Sequence, residues 1–227
     1  METALVIGAS RGLGHAIAAE LAARHWHVIG TVRDPAARTP LHDLADASAG
    51  RVEVEHLDIT EPDRLPPLRE RLAGRRIDML FVNAGTTNNP ATPIGEVSTA
   101  DFVDVMVTNA LSPMRVIESL QDLVPADGLI GAMSSGQGSI TNNTAGSREV
   151  YRGSKAALNM LMRSFAARQA DRALLLMAPG WIRTALGGDQ APFTVEESVP
   201  LIVDVLLAKL GKPGLEFLDR EGKTVPW

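Results

Sequence analysis

The amino-acid sequence predicts a doubly wound α/β fold, with a mostly parallel sheet of seven strands and helices on both of its faces. Short apolar segments alternate along the chain with segments whose apolar residues recur at helical spacing. The 227 residues contain neither an internal repeat nor a linker rich in glycine and serine. We therefore expect one domain over residues 1–227.

The first half of the chain shows this alternation most clearly. The segment "ALVI" predicts a strand, "GASRGLG" a glycine-rich loop, and Ile17, Ala18 and Leu21 the apolar face of a helix that precedes the strand "HVIGTV". The strands "RVEVEHLDIT" and "IDMLFVNAG" follow, with a short helix near Leu68–Leu72 between them. Strand and helix alternating in this way give parallel strands with crossover connections, which is a Rossmann-type arrangement.

The second half continues the pattern. A helix begins at Ser98, and Pro113 should interrupt or bend it near Asn109 because proline lacks a backbone N–H. A long helix is predicted over Tyr151–Ala170 and a capped apolar helix after Thr194. The segments "GLIGAM", "ALLLMAPG" and "LEFL" predict the remaining strands.

Composition excludes several classes of partner. The 22 basic residues stand against 27 acidic ones, a net charge of -5, and no run of like charge occurs. We therefore expect no nucleic acid and no membrane as a partner. No cysteine is present, and the five histidines lack zinc-ligand spacing, so no metal site is predicted. No apolar stretch of about eighteen residues exists, and the first strand begins too near Met1 for a signal peptide, so we expect a cytoplasmic protein.

Gly8, Gly12 and Gly14 lie between the first strand and the first helix. Glycines at this point let a pyrophosphate approach the backbone N–H groups at the positive end of the helix. The spacing is GxxxGxG rather than GxGxxG, and three glycines in a turn also serve simply to relieve strain. The loop alone therefore leaves nucleotide binding open.

Charged residues that follow the second and third strands bear on which nucleotide would bind. Arg33 stands where an acidic residue would bind ribose in an NAD enzyme, and Arg11 lies inside the glycine loop. Together they favour the 2′-phosphate of NADP(H) over NAD(H), unless both are solvated surface arginines. Asp34 is a secondary candidate for a ribose hydroxyl. Asp58 is placed for an adenine amino group, or it closes a turn.

The only tyrosine, Tyr151, precedes Lys155 by four residues, so both side chains would project from one face of a helix. A nearby ammonium favours the phenolate, so the lysine should lower the pKa of the tyrosine and make it a tuned proton donor. The alternative is a surface tyrosine beside an incidental lysine. Ser134 and Ser135 end the preceding strand, at the sheet edge where such folds bind ligands.

In this order the motifs resemble those of the short-chain dehydrogenase/reductase family, and the resemblance covers the whole chain. It rests on "GASRGLG", "LDIT", "NAG", the asparagine of "TNALSP", "SS", "YRGSK" and "APGWIRT". The segments "SSGQGSI", "TVEESV" and "EFLDREGKTVPW" look most like the C-factor and carbonyl-reductase branch.

The resemblance implies a reversible, NADP(H)-dependent reduction of a ketone or aldehyde. Tyr151 would donate a proton to the carbonyl oxygen, Ser135 would hold that oxygen in preference to Ser134, Lys155 would bind the nicotinamide ribose, and Asn109 would complete a water relay. The cofactor would lie mainly on residues 1–125 and the catalytic and substrate elements on residues 126–227. Implied cofactor contacts are Gly8, Ser10, Arg11, Gly12, Leu13, Gly14, Arg33, Asp58, Ile59, Asn83, Ala84, Gly85, Tyr151, Lys155, Pro179, Gly180, Ile182 and Thr184.

Two further expectations follow from the resemblance. A homodimer or homotetramer would form through the helices that carry Asn109 and Tyr151. A competing interpretation is a nucleotide-binding signalling or interaction protein of the C-factor type with little or no turnover. An epimerase or dehydratase of the extended form of the family is disfavoured, because the roughly thirty residues after Thr194 leave no room for a second substrate domain.

Overall fold

The computed structural model describes residues 1–227 and confirms the doubly wound fold. Seven strands form one sheet in the order β3-β2-β1-β4-β5-β6-β7. Every pairing in the sheet is parallel, so the sheet is wholly rather than mostly parallel. The strands are β1 Thr3–Ile7, β2 His27–Val32, β3 Val52–His56, β4 Met79–Val82, β5 Leu129–Met133, β6 Ala173–Ala178 and β7 Gly214–Asp219.

Seven α-helices cover the sheet. They are α1 Gly12–Ala23, α2 Pro40–Ala47, α3 Leu65–Arg71, α4 Thr99–Met106, α5 Ser112–Leu120, α6 Glu149–Ala167 and α7 Val195–Lys209. The apolar residues of α1, α2 and α7 pack on one face of the sheet, and those of α3, α5 and α6 pack on the other. Helix α6 begins two residues before the predicted start at Tyr151 and ends three residues before Ala170.

The central strands β1, β4, β5 and β6 alternate between two hydrophobic cores, which explains their apolar sequences. In β1, Leu5 and Ile7 belong to the core under α3, α5 and α6, whereas Ala4 and Val6 belong to the core under α1 and α7. A strand buried on both faces has no solvent side and therefore no polar positions in its middle. No helix is both long enough and apolar enough to span a bilayer.

The predicted interruption near Pro113 is present as one π-helical turn, Val107–Leu111, between α4 and α5. Ser98 caps α4, accepting a hydrogen bond from the backbone N–H of Asp101 at 3.0 Å. Because Pro113 has no N–H, the carbonyl of Asn109 loses the donor four residues ahead that a regular helix would supply. The π turn therefore places Asn109 at an irregular point of the backbone, close to the carboxyl edge of the sheet.

Candidate active site

The predicted site residues gather at the carboxyl edge of the sheet, where β1 and β4 lie side by side and the order of strands reverses direction. Such a point leaves a crevice between the loops that follow the two strands, and ligands of doubly wound folds bind there. The side-chain amide of Asn83, after β4, donates a hydrogen bond to the carbonyl of Gly8, after β1, at 2.9 Å. One side chain thus joins the two loops that line the crevice.

The three glycines of the first loop serve two different purposes. A Cβ atom on Gly14 would lie 2.1 Å from the carbonyl oxygen of Gly8, and one on Gly8 would lie 2.8 Å from Cβ of Ala84. These two glycines are required for packing within the protein itself rather than for space around a ligand. Only Gly12 faces open space: its φ is +59°, and the nearest atom to a Cβ there belongs to Thr184 at 4.0 Å.

The N-terminus of α1 has the features of an anion site that the sequence predicted. Arg11 occupies the N-cap without a side-chain hydrogen bond, and no acidic residue lies in the first turn. The first N–H groups of a helix have no partner within the helix, so they remain available to a phosphate. Ser10 and Leu13 lie in this loop and in the first turn of the helix.

Two arginines flank this N-terminus with their charges unpaired. Arg11 and Arg33 are exposed and form no ion pair, whereas nearby Arg38 contacts the carboxylates of both Asp43 and Asp46. A guanidinium without a carboxylate partner is free to bind phosphate oxygens. The open glycine, the uncapped helix and the two free arginines therefore fit a dinucleotide that carries an additional phosphate.

Asp34 and Asp58 each use one carboxylate oxygen to close a local turn. Asp34 accepts from the N–H of Ala36 at 2.9 Å. Asp58 accepts from the N–H of Thr60 at 2.9 Å and from its hydroxyl at 2.6 Å. Asp58 therefore closes a turn, which was one of its two predicted roles, and its second carboxylate oxygen remains available to a ligand. The side chain of neighbouring Ile59 lies in the hydrophobic core, which leaves only its backbone for contact with a ligand.

Tyr151 and Lys155 lie on the buried face of α6, as their spacing predicted. Tyr151 is 9% exposed and Lys155 is 3% exposed. The ammonium of Lys155 donates a hydrogen bond to the backbone carbonyl of Met133 at 2.8 Å and lies 5.9 Å from the centre of the tyrosine ring. The alternative of a surface tyrosine is excluded by this burial. The last residue of β5, Met133, thereby fixes the lysine beside the tyrosine.

The serines after β5 point in opposite directions because side chains alternate along extended backbone. Ser134 is buried and donates to the side-chain oxygen of Asn159 at 2.6 Å, so it serves the core. Ser135 is half-buried, and its hydroxyl accepts from the N–H of Gln137 at 3.1 Å. Its hydroxyl also lies within hydrogen-bonding reach of the Tyr151 phenol, and this interaction lowers the pKa of that phenol. The structure therefore brings Ser135, not Ser134, to the tyrosine.

The predicted lowering of the tyrosine pKa is wrong. Burial raises the pKa of Tyr151 above its ordinary value, and the Ser135 hydroxyl and the positive charge of Arg148 offset that rise only in part. Burial also lowers the pKa of Lys155, from 10.5 to about 8. Removing both groups from water disfavours both charged forms, and this effect outweighs their neighbours. Tyr151 is accordingly a neutral phenol at neutral pH, in the state that donates a proton.

Asn109 is completely buried and its side chain is fully engaged. Its amide accepts from the N–H of Thr86 at 2.8 Å and donates to the Thr86 carbonyl and the Ser154 hydroxyl, each at 2.9 Å. Ser154 in turn donates to the carbonyl of Tyr151 at 2.8 Å. The side chain of Asn109 therefore ties the loop after β4 to helix α6. Only its backbone carbonyl remains for a role in a proton relay.

The other predicted residues border the same crevice with different degrees of contact. A Cβ on Gly85 would lie 3.5 Å from the ammonium of Lys155, which places this loop against the lysine. Pro179 and Ile182 are buried after β6, where Ile182 pairs with Phe193 in an isolated parallel bridge. Gly180 has a φ of +90°, a conformation that favours glycine.

Sequence reasoning missed two contributors to this site. One is the carbonyl of Met133, because a backbone contact across the fold leaves no mark in the sequence. The other is Arg148, whose guanidinium lies 5.5 Å from the centre of the Tyr151 ring. Its position three residues before the tyrosine, immediately ahead of the helix, was the signal that could have identified it.

These features define a nucleotide-binding α/β protein with a buried tyrosine, lysine and serine at the sheet edge. A family model described as short chain dehydrogenase matches residues 2–193. The chain therefore belongs to the short-chain dehydrogenase family.

Relatives agree with this assignment. A short-chain dehydrogenase/reductase of Burkholderia multivorans, solved with bound NADP, is 63% identical with a TM-score of 0.98, and the match covers 100% of this chain and 99% of the other. A carbonyl reductase of Pseudomonas aeruginosa in complex with NADP is 33% identical over 100% of both chains, with a TM-score of 0.92. The C-signal of Myxococcus xanthus is 33% identical over 66% of this chain and 93% of its own length.

Proposed function

We propose that this oxidoreductase reduces a ketone or aldehyde to an alcohol, using NADP(H) and Tyr151 as the general acid. The observation that supports this most is the convergence of Tyr151, Lys155 and Ser135 at the end of β5, across the crevice from the glycine loop. A neutral phenol supports the reductive direction at neutral pH, because reduction needs a proton donor. Oxidation of an alcohol, which needs the phenolate, should become faster as the pH rises.

The cofactor part of the proposal rests on the free arginines and on the relatives. NADPH supplies the hydride when it is bound. Arg11 and Arg33 would hold its additional phosphate, and the first turn of α1 its pyrophosphate. Both solved relatives from Burkholderia and Pseudomonas contain NADP. Residues 1–125 would form most of this cofactor site, with Pro179–Thr184 completing it from the second half of the chain.

In the catalytic half, each polar group has a distinct proposed role. The hydroxyl of Tyr151 donates its proton to the carbonyl oxygen, and the hydroxyl of Ser135 donates a hydrogen bond that holds that oxygen in place. Lys155 would bind ribose hydroxyls from its position on the Met133 carbonyl. The backbone carbonyl of Asn109, which has no donor at Pro113, would hold a water molecule that passes protons toward this lysine.

Replacement of the tyrosine tests the proposal. Tyr151→Phe should lower kcat by roughly 10²- to 10⁴-fold, which is the usual contribution of a general acid. NADPH should bind to this variant as it binds to the wild type. Stopped-flow rates with a panel of carbonyl compounds and fluorescence titration of NADPH measure the two effects. Unchanged turnover in the variant would reject Tyr151 as the proton donor.

A second candidate function is suggested by the similarity to the Myxococcus C-signal, namely a nucleotide-binding interaction protein with little turnover. The same panel separates the two candidates. Tight NADPH binding without oxidation of NADPH by any carbonyl compound would favour the interaction protein. The buried tyrosine and lysine support the enzyme, because burial of a lysine costs stability without benefit to a purely structural protein.

We also propose that the protein forms a homodimer or homotetramer through α4 and α6. These helices pack together, and both expose large apolar side chains to solvent. Val103 is 49% exposed, Phe102 42% and Met160 64%. Covering such side chains against a second copy removes apolar surface from water. Sedimentation equilibrium would give the number of chains.

A further inference from the structure

Arg148 carries a charge that nothing in the protein neutralises. The residue is half-buried immediately before α6, and it forms no ion pair. Its Nε atom is buried and makes no hydrogen bond. Polar groups removed from water are nearly always hydrogen-bonded, so an unpaired guanidinium nitrogen here requires an explanation.

The charged residues around Arg148 do not compensate for it. The neighbouring carboxylate of Glu149 accepts a hydrogen bond from the backbone N–H of Ile94 at 2.8 Å, and forms no ion pair with the arginine. Arg152 donates to the carbonyl of Ser147 at 2.6 Å and adds a second positive charge to the same turn. This end of α6 therefore presents net positive charge beside Tyr151.

The backbone holds the arginine in this place at a cost. Arg148 has φ 59° and ψ 41°, which is the left-handed conformation that residues with a side chain rarely adopt. Strained residues of this kind concentrate at sites where function depends on their geometry. The guanidinium of Arg148 lies 5.5 Å from the centre of the Tyr151 ring and the ammonium of Lys155 lies 5.9 Å from it, so both positive charges border the phenol.

A second unpaired atom belongs to a residue that contacts Ser135. The side-chain oxygen of Gln137 is buried without a hydrogen bond. Its backbone N–H is the group that donates to the Ser135 hydroxyl. An unused donor on Arg148 thus lies beside Tyr151, and an unused acceptor on Gln137 belongs to the residue that contacts Ser135. Polar groups in such positions are suited to recognition of a polar substrate.

We propose that Arg148 is a specificity-determining residue that binds an anionic group of the substrate, so that the preferred substrates are oxo acids whose carboxylate lies a few bonds from the reacting carbonyl. The planar guanidinium can form two parallel hydrogen bonds to a carboxylate, which fixes both position and orientation. The inference rests on the proposed function, since it takes Tyr151 to be the group that meets the carbonyl.

The test compares acids with their neutral esters. Initial rates with NADPH are measured for acetoacetate and levulinate, each beside its methyl ester, in the wild type and in Arg148→Gly. Glycine removes the charge and suits the left-handed backbone, so the variant should fold. The control is Arg152→Met, which removes an equal charge four residues away.

The wild type should prefer an acid to its ester in kcat/KM. Arg148→Gly should lower the ratio of kcat/KM for that acid to kcat/KM for its ester by about 10- to 100-fold, the contribution of a hydrogen bond between charged groups. Any effect of the lost charge on Tyr151 is common to both substrates and cancels in this ratio. Arg152→Met should keep the preference. The proposal is overturned if the wild type treats acids and esters alike, or if Arg148→Gly slows both equally.

A binding measurement separates this inference from the proposed function. Levulinate is titrated calorimetrically into the protein saturated with NADP⁺, in the wild type and in Arg148→Gly. If levulinate binding requires Arg148, the anion site is supported. If no carbonyl compound is reduced in the same protein, only the proposed reductase activity is rejected. Turnover of esters without any carboxylate binding would reject the anion site and leave the reductase standing.

Discussion

The glycine loop, residues 8–14, and the segment after β5, residues 136–148, border the same crevice but are held in different ways. Atoms of the core surround the glycine loop: Gly8 receives a hydrogen bond from Asn83, and its N–H donates to the Thr31 hydroxyl at 2.9 Å. Residues 141–147 are all exposed. The cofactor side, residues 8–14, is thus part of the packed core, whereas the proposed substrate side, residues 136–148, is attached to its surface.

Helix α6 and Trp227 attach residues 136–148: the side chains of Asn159 and Arg152 donate to the carbonyls of Gly138 and Ser147 at 3.2 and 2.6 Å, and Trp227 holds Thr141. The backbone carbonyl of Trp227 accepts from the N–H of Thr141 at 3.0 Å and from its hydroxyl at 2.8 Å. The ring of Trp227 packs 5.4 Å from that of Phe217, and Arg163 lies over it at 5.0 Å. A few polar contacts to α6 and to Trp227 hold this loop, so its sequence can vary without damage to the sheet. Substrate preference can therefore change while the cofactor loop stays constant.

The largest expected effect comes from a substitution in the glycine loop, on the cofactor side. Gly14→Ala would place a methyl group 2.1 Å from the Gly8 carbonyl oxygen. The methyl carbon and the carbonyl are both fixed to the backbone, so neither can rotate away to relieve the clash. We expect a loss of about 3 kcal/mol in the free energy of unfolding, with weakened NADPH binding. Gly153→Ala is the control, because nothing lies near a Cβ there and the helix should gain about 1 kcal/mol. Urea unfolding that shows equal effects at both positions would contradict the comparison.

The second effect concerns the buried lysine. Because burial lowers the pKa of Lys155 from 10.5 to about 8, the unfolded chain holds this proton more tightly than the folded protein. Below about pH 8 the folded protein bears the full free-energy cost of the buried ammonium. This cost disappears as the pH rises to 10.5, because the lysine then loses its proton in both states. The free energy of unfolding should therefore increase by about 3 kcal/mol over that interval. Lys155→Met should abolish activity and remove this rise.

Urea unfolding at several pH values measures the slope. At neutral pH, Lys155→Met should have a larger free energy of unfolding than the wild type, because no charge is buried. The loss of the hydrogen bond to Met133 should make this gain smaller than about 3 kcal/mol. Lys209 is the matched control, since it is also 3% exposed but its ammonium lies 2.7 Å from the Glu216 carboxylate. Lys209→Met should lower stability instead. A flat pH profile in the wild type would show that the buried lysine carries no such cost.

The third effect concerns cofactor choice. Arg33→Ala should weaken NADPH binding by about 10- to 100-fold, as expected for loss of a hydrogen bond between a guanidinium and a phosphate, and should leave NADH binding nearly unchanged. Arg38→Ala is the control, because Arg38 is already paired with Asp43 and Asp46. Fluorescence titration of both nucleotides measures the difference. Equal affinities of the wild type for NADPH and NADH would count against the role of Arg33.

The smallest expected effect concerns Trp227, which contacts residues 136–148 on the proposed substrate side. Trp227→Ala should raise the substrate KM a few-fold by loosening residues 136–148, and cost about 1 kcal/mol of stability through lost ring contacts. The Kd for NADPH should not change, because the glycine loop is held independently. Trp227→Phe, which keeps a ring against Phe217, should restore most of the KM. Equal changes in KM and in NADPH affinity would show that the two sides are not independent.

The sequence by itself determined the alternation of strands and helices, the cap at Ser98, the break near Pro113, and the shared face of Tyr151 and Lys155. All of these follow from local periodicity or from the missing N–H of proline, which act within a few residues.

Only the tertiary structure decided the direction of the Tyr151 pKa shift, the hydrogen bond from Lys155 to Met133, the engagement of the Asn109 side chain and the unpaired charge of Arg148. Each depends on how much water is excluded by residues far away in the chain. Desolvation is a property of the packed site, so the local spacing of tyrosine and lysine predicted their proximity correctly and the sign of the pKa shift wrongly.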